Sequence, residues 1–321
     1  MTASAADPCR DGSTALSHAD LAGAEKFLKH CVQARTAPLE SFVELAAVYQ
    51  LQSNSEALLA LAVEGTKRYP EDKRFYLTAG TYAGRGKRFE QAVQVLEAAA
   101  RRWPDDGKIR GLLESAHVGR GMELLDAGQN QKSAEHLRRA AELGPDDVEA
   151  LLNLGRALHN LHRNTEALTT FNRVLELNPT LPLARFHRGM TYSALGDFEK
   201  SLDDLSREIE MNPDYPASYL VRGLALMSTG EWEKALGDLE AAIAKMPDNA
   251  KAQYARSRCL IQLGKLEQAE AGLKKTVELD PDDPGPVNAL IGVLVRLGRT
   301  GDTVMLREKA TELSRKQRGA P

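Results

Sequence analysis

The sequence predicts an all-α protein, an α-solenoid of stacked antiparallel helix pairs with a 34-residue repeat. Three observations lead to this fold class. Aromatic residues make up only 5 % of the 321 residues, whereas the helix formers Ala, Leu and Glu recur throughout the chain. Small side chains recur at one fixed position of the repeat, and large apolar side chains recur at another. Seven prolines are also 34 residues apart in five of their six intervals and 41 apart in the sixth: Pro70, Pro104, Pro145, Pro179, Pro213, Pro247 and Pro281. A 34-residue period indicates two helices in each unit.

We number the positions of each repeat unit so that its proline is position 32. With this numbering, the residue types within each unit agree with a pair of helices. Units then begin at residues 39, 73, 114, 148, 182, 216 and 250, and a degenerate unit begins at 284. Position 8 carries only Ala, Gly or Ser in the first seven units, which allows two helices to approach closely. Glycine at position 15 ends the first helix in five units. Position 24 is large and apolar in six units, where the side chain fills the space between the two helices: Leu96, Leu137, Phe171, Leu205, Leu239 and Leu273.

The chain departs from the 34-residue repeat in three places. Residues 1–15 lack periodicity and are expected to be disordered, and residues 16–38 are expected to form one capping helix, half a repeat. The 41-residue interval predicts a lengthened helix over 106–127, with a flexible hinge as the alternative. The array proper is expected to cover 39–317, and its last helix, with a polar face and a basic tip, serves as the terminal cap.

These units resemble the tetratricopeptide repeat family over roughly residues 39–317. The resemblance implies a right-handed superhelix whose concave face is lined by the first helix of each unit, and it implies a peptide or protein ligand there. Asn153 matches an asparagine that often holds a peptide backbone in the family. The family's carboxylate clamp is not matched, because no unit has Lys at position 5 or Asn at position 9.

The concave positions of units four to seven carry an apolar strip flanked by two arginines. We expect this strip to bind an apolar peptide or an amphipathic helix whose acidic flank meets the arginines. The alternative is that the strip is partly core, or is covered by self-association. The predicted peptide-binding residues are Leu152, Asn153, Arg156, Phe186, Met190, Leu220, Leu224, Met227, Tyr254 and Arg258.

Charged residues recur inside the repeat as well. Arginine at position 7 faces aspartate at position 23 in two units, which predicts the ion pairs Arg188–Asp204 and Arg222–Asp238; a row of ligand-facing cations is the alternative. Arg185 and Glu208 lie at positions that are normally apolar or small, and we expect them to compensate each other.

The sequence offers no motif for catalysis. Zinc-protease, dinucleotide, P-loop and nucleophile-elbow patterns are absent, so no enzyme activity, cofactor or metal is expected. His159 and His162 have a spacing that suits a metal, but no third ligand is evident. The net charge of −3 does not indicate nucleic acid as a partner, and the apolar runs are too short for a membrane span.

The expected function is therefore a non-enzymatic protein–protein interaction scaffold that binds a peptide or helical segment in the groove of repeats four to seven. The alternative is a structural subunit of a larger complex or a homo-oligomer. A monomer is slightly favoured. Three cysteines are expected to be unpaired thiols, and a Cys9–Cys31 bridge requires export. The expected location is cytoplasmic, with export as the alternative.

Overall fold

The computed structural model describes residues 7–317, and all regular structure in this range is helical. The chain divides into two compact units, Met1–Ala157 and Leu158–Pro321, with the boundary inside one helix. Consecutive helices pack against each other within each unit. This architecture confirms the predicted all-α fold of stacked antiparallel helix pairs.

The first unit contains four helix pairs and most of a further helix. Its helices are α1 (Pro8–Ser17), α2 (Leu21–Gln33), α3 (Leu39–Leu51), α4 (Ser55–Arg68), α5 (Lys73–Arg85), α6 (Phe89–Arg102), α7 (Gly107–Asp126), α8 (Asn130–Leu143) and α9 (Val148–Asn160).

The second unit continues the same alternation and ends in a helix pair interrupted by a short 3-10 helix, Thr300–Thr303. Its helices are α10 (Asn164–Leu177), α11 (Ala184–Ala194), α12 (Phe198–Met211), α13 (Pro216–Ser228), α14 (Trp232–Lys245), α15 (Ala250–Gln262), α16 (Leu266–Leu279), α17 (Pro284–Arg296) and α18 (Val304–Gln317).

The contact between positions 8 and 24 sets the spacing within a helix pair. A Cβ added to Gly80 would lie 2.5 Å from Leu96 Cδ2, and one added to Gly121 would lie 2.5 Å from Leu137 Cγ. The large side chain of the second helix therefore rests directly on the backbone of the first. This contact confirms the prediction made from the small and large positions, and it explains why the small side chain recurs.

The turn between the two helices needs a left-handed residue at position 15. Glycine takes this conformation in five repeats, with φ between 71° and 82°. Ser53, Lys87 and His162 take it at the same position in the repeats that lack glycine, with φ between 57° and 59°. His162 is therefore a turn residue, and its place next to a helix end follows from the repeat.

The N-terminal region differs from the sequence expectation. Residues 8–15 lie in α1, where disorder was expected, and residues 1–6 of that expectation fall outside the described residues. Asp7 caps α1 by accepting the backbone N–H groups of Cys9 and Arg10. A Cβ on Gly12 would lie 2.6 Å from Leu28 Cγ, which is the same contact as between positions 8 and 24. The expected half-repeat is therefore a complete helix pair.

A disulfide joins this first pair, between Cys9 of α1 and Cys31 of α2. The expectation of unpaired thiols is wrong for these two cysteines and holds for Cys259, which is free and buried. The bridge was not predictable from the spacing of the prolines, because no proline in register marks α1 as the partner of α2.

The 41-residue interval lies in α7, a single helix of 20 residues, whereas α5 has 13. Asp106 caps it by accepting the N–H groups of Lys108 and Ile109. Ile109 is fully buried against the preceding repeat, in a cluster with Tyr76. The additional residues thus belong to a packed helix that contacts α5 and α6.

Candidate functional site

The predicted peptide-binding residues fall into both units. Leu152, Asn153 and Arg156 lie on α9 in the first unit. The remaining seven lie in the second unit, on the first helices of three successive repeats: Phe186 and Met190 on α11, Leu220, Leu224 and Met227 on α13, and Tyr254 and Arg258 on α15.

In the second unit three of these side chains are packing residues. Phe186 is 5 % exposed, and its ring meets the edge of Tyr215 with centroids 5.2 Å apart. Leu220 and Met227 are buried in one core cluster with residues of α14 and α15. A ligand cannot reach these three side chains without opening the core.

The other four residues form a surface that a ligand can contact. Met190, Leu224 and Tyr254 are partly exposed, and Arg258 is exposed. They lie on successive first helices, and three of them share position 9 of their repeats, so the repeat brings them to equivalent places. We call Met190, Leu224, Tyr254 and Arg258 the second-unit strip.

Asn153 has both ends of its amide engaged within its own helix. Its Nδ2 donates to the carbonyl of Glu149 at 3.0 Å, and its Oδ1 accepts from Arg156 Nη1 at 2.7 Å. The side chain is 4 % exposed. The amide that the family resemblance assigned to a ligand backbone is thus occupied by α9 itself.

A cleft on the first helices of the first unit was missed by sequence reasoning. It has a volume of about 330 Å³ and lies between α3 and α5. Small side chains open it, among them Ala47 and Thr81 at position 9, where the units that begin at residues 114 to 250 carry methionine, leucine or arginine. Arg74 and Lys108 also line it. The small residues at position 9 were the available sequence signal.

The recurrent arginines at position 7 are confirmed as structural ion pairs. Arg188 donates through Nε and Nη2 to both oxygens of Asp204, at 2.6 and 2.7 Å. Arg222 binds Asp238 in the same way, with both distances 2.7 Å. Hydrogen bonding to the aspartate raises the pKa of each arginine, against the opposing effect of burial.

The same arginines also reach back to the preceding repeat. Nη1 of Arg188 donates to Asn172 at 2.8 Å, and Nη1 of Arg222 donates to Ser206 at 3.1 Å. Arg256 lacks an aspartate partner and binds Glu240 of the preceding repeat instead. These three arginines therefore join neighbouring repeats and do not form a row of unpaired cations that a ligand could bind.

The expected compensation between Arg185 and Glu208 is wrong. Glu208 is fully buried, and its Oε1 accepts the backbone N–H of Leu183 at 3.0 Å. Leu183 is the left-handed residue that precedes α11, with φ 66°. The carboxylate satisfies a helix-start N–H group that would otherwise lack a partner, and the Nε of Arg185 makes no hydrogen bond within the described residues.

Two histidines of neighbouring helices form a titratable pair. The Nδ1 atoms of His117 and His136 are 3.0 Å apart, between α7 and α8. Burial, followed by the nearby His136, lowers the pKa of His117 to about 4. His159 instead contacts Thr191 at 3.1 Å. In residues 7–317 no three His, Cys, Asp or Glu side chains are grouped to hold a metal, and no helix there could cross a membrane.

Comparisons with known proteins give a family and a fold. Family models described as tetratricopeptide repeat match residues 118–182, 186–245 and 226–294. Together these ranges span more than half of the chain. A comparison with curated protein sequences gives no significant match.

Solved structures resemble this chain at low sequence identity. One is MamA, residues 41 to the end, from Desulfovibrio magneticus RS-1, with 22 % identity and a TM-score of 0.50 over 53 % of this chain and 96 % of that chain. Another is the APC/C hetero-tetramer Cut9–Hcn1, with 12 % identity and a TM-score of 0.56 over 93 % of this chain and 57 % of that chain. Both likenesses concern the fold.

Proposed function

The chain belongs to the tetratricopeptide repeat family, and from that premise we propose that it is a non-enzymatic scaffold that binds a peptide or a helical segment of another protein. The fold supports an interaction scaffold in general. The finer proposal is that the ligand contacts the second-unit strip. The observation that carries it is the run of partly exposed Met190, Leu224 and Tyr254, next to the exposed Arg258, on successive first helices.

The chemistry of the strip indicates the kind of ligand. Methionine and leucine adapt to varied apolar side chains, and a tyrosine adds both an apolar ring and a hydroxyl group. Arg258 carries no ion pair among residues 7–317. A peptide with an apolar residue followed by a carboxylate would therefore cover the strip and pair with the arginine.

Selection of peptides from a random library, followed by affinity measurements, tests this proposal. Replacing Met190 and Leu224 with alanine should weaken the selected peptides by about thirtyfold, because each truncation removes apolar contact worth about 1 kcal/mol and the two together remove about 2 kcal/mol. Met211→Ala is the matched control, since Met211 is an exposed apolar residue on α12 outside the strip. Equal affinity for the double variant and the control would refute the strip as the binding surface.

The buried residues among the predicted peptide-binding set are unsuitable for this test. Phe186 and Leu220 are core residues, so their truncation is expected to cost about 2–5 kcal/mol of stability whether or not they contact a ligand. The alternative function, a subunit of a homo-oligomer or larger complex, is distinguished by light scattering. Self-association that disappears in the Met190 and Leu224 double variant would favour it.

The Cys9–Cys31 disulfide carries a separate proposal about location. Structural disulfides persist in oxidising compartments and are rare in the cytosol, so we propose that the chain works in an oxidising compartment, with a cytoplasmic location as the alternative. Protein alkylated while unfolded should take up one label, on Cys259, without reduction, and three labels after reduction. Three labels on unreduced protein from its native cells would contradict this proposal.

A further inference from the structure

The last helix pair of the second unit, α17 and α18, carries a cleft that does not belong to the second-unit strip. It has a volume of about 530 Å³. Ile291 and Ala310 form its apolar part, and Asn288 adds an amide. Two arginines of α18, Arg307 and Arg315, line it as well.

The cleft arises because the last pair reverses the rule of the repeat. In six other repeats a small residue at position 8 receives a large apolar residue from position 24, as where a Cβ on Gly223 would lie 3.0 Å from Leu239 Cγ. In the last pair position 8 is Ile291 and position 24 is Arg307. The isoleucine packs in a cluster with Ala310, whereas the arginine is exposed. The second helix thus presents a cation where six other repeats present leucine or phenylalanine, and Leu306, one residue earlier, packs toward α17 in its place.

The surface around the cleft is the one on which a further repeat would stack. In the preceding repeats, positions 24 and 27 are covered by the first helix of the next repeat, since Leu239 and Ala242 share a core cluster with Ala252 and Ala255. The corresponding residues of the last pair are Arg307 and Ala310. Because this surface accepts a helix in the preceding repeat, the equivalent surface of the last pair has the form of a groove for a helix.

The charge of this surface is positive. Arg307 and Arg315 are both exposed, and no carboxylate lines the cleft. Nε of Arg307 donates to Thr303 Oγ1 at 3.2 Å, which leaves its terminal nitrogen atoms available. The two arginines are eight residues apart on one helix, about 12 Å at the α-helical rise. Neither forms an ion pair among residues 7–317.

We propose that this surface binds an acidic amphipathic helix of a partner protein, which stacks on α17 and α18 in the place of a further first helix. Small apolar residues of the partner helix cover Ile291 and Ala310. Its carboxylates, about two turns apart, pair with Arg307 and Arg315. The site goes beyond the function proposed above, because it uses a different surface and a different ligand charge pattern.

A pair of synthetic helices tests the proposal with the full chain. The first is a 14-residue peptide with alanine and leucine along one face and glutamate at two positions eight residues apart beside it; the second has lysine in place of glutamate. Fluorescence anisotropy should show binding of the acidic peptide and none of the basic one. Arg307→Gln with Arg315→Gln should weaken the acidic peptide by about fivefold or more.

The control removes two exposed cations outside the cleft, with Arg296→Gln and Lys251→Gln, and it should leave the affinity unchanged. Charge reversal gives a second measurement, because Arg307→Glu with Arg315→Glu should exchange the preference toward the basic peptide. Equal binding of both peptides, or equal affinity of the Gln variant and the control, would overturn the proposal. Self-association of the free chain that the Glu variant abolishes would also overturn it, by identifying a second copy as the occupant.

Discussion

Three arginines at position 7 pair with carboxylates that differ in how deeply they are buried. The same Arg→Met substitution should therefore cost a different amount of stability at each of them. Arg188→Met leaves the carboxylate of Asp204 without two hydrogen-bond donors, and that side chain is only 2 % exposed. Removing one partner of a buried ion pair costs about 3–5 kcal/mol, because the remaining charge stays desolvated. Arg256→Met instead frees Glu240, which is 51 % exposed. The expected cost there is below about 1 kcal/mol.

Arg222→Met should fall between these values, since Asp238 is 11 % exposed. The free energy of unfolding is measured by urea denaturation followed by circular dichroism, with hydrogen exchange of α11 and α12 to locate the loss. A double variant, Arg188→Met with Asp204→Leu, should recover most of the stability, because a buried pair replaced by apolar residues of similar size is close to neutral.

The order of the three costs is the decisive result. If Arg188→Met destabilises the chain no more than Arg256→Met does, burial of the aspartate does not control the cost. If the double variant is as unstable as Arg188→Met alone, the loss comes from packing of the arginine stem and not from an unpaired carboxylate. Either outcome would refute the reasoning from burial and pairing.

Three further predictions concern pH, redox state and helix spacing. Burial lowers the pKa of His117 to about 4, so the unfolded chain binds a proton at this imidazole more tightly than the folded chain does. The free energy of unfolding should therefore be at its full value above pH 6.5 and fall by up to about 3 kcal/mol as the pH drops toward 4. His117→Leu should flatten this part of the pH profile measured by urea denaturation. Reducing the Cys9–Cys31 bridge, which encloses a separation of 22 residues, should cost about 3 kcal/mol, and reductant should have no effect on a Cys9→Ser variant. The Cβ of Gly189→Ala would lie 2.9 Å from a facing leucine, so this variant should lose about 1–3 kcal/mol of stability and melt at a lower temperature. Gly237→Ala is the control, because its Cβ has no neighbour within 4 Å, and it should raise the melting temperature.

The parts of the fold that depend on local residues could be predicted from the sequence. Proline ends a helix through its own ring and its missing N–H group, so its spacing gave the frame of the repeats directly. The contacts between positions 8 and 24 follow once that frame is known. Helix α1 lacks a proline in register. Its remaining signal was Gly12, which lies 16 residues before Leu28, just as Gly80 lies 16 before Leu96.

The candidate site was less predictable because exposure depends on the neighbouring repeat. Phe186, Leu220 and Leu224 all lie on first helices at positions that the family resemblance places on one face. The structure buries the first two and leaves Leu224 partly exposed. Likewise, Glu208 was expected to pair with Arg185, but a backbone N–H group in a left-handed turn competes for the carboxylate. Such a competitor has no sequence signature.

The departures from the repeat are the most informative positions for function. A residue that keeps the pattern, such as leucine at position 24 or a left-handed residue at position 15, is already explained by its neighbours in the stack. Ile291 and Arg307 break the pattern together, and the break leaves a cation on an open surface. The apolar contact between the two helices is kept by Leu306, one residue earlier, which packs with residues of α17. Because the packing of the last pair does not use Arg307, this exposed cation serves either as part of a polar terminal cap or as part of a binding surface, and the two synthetic helices decide between these explanations.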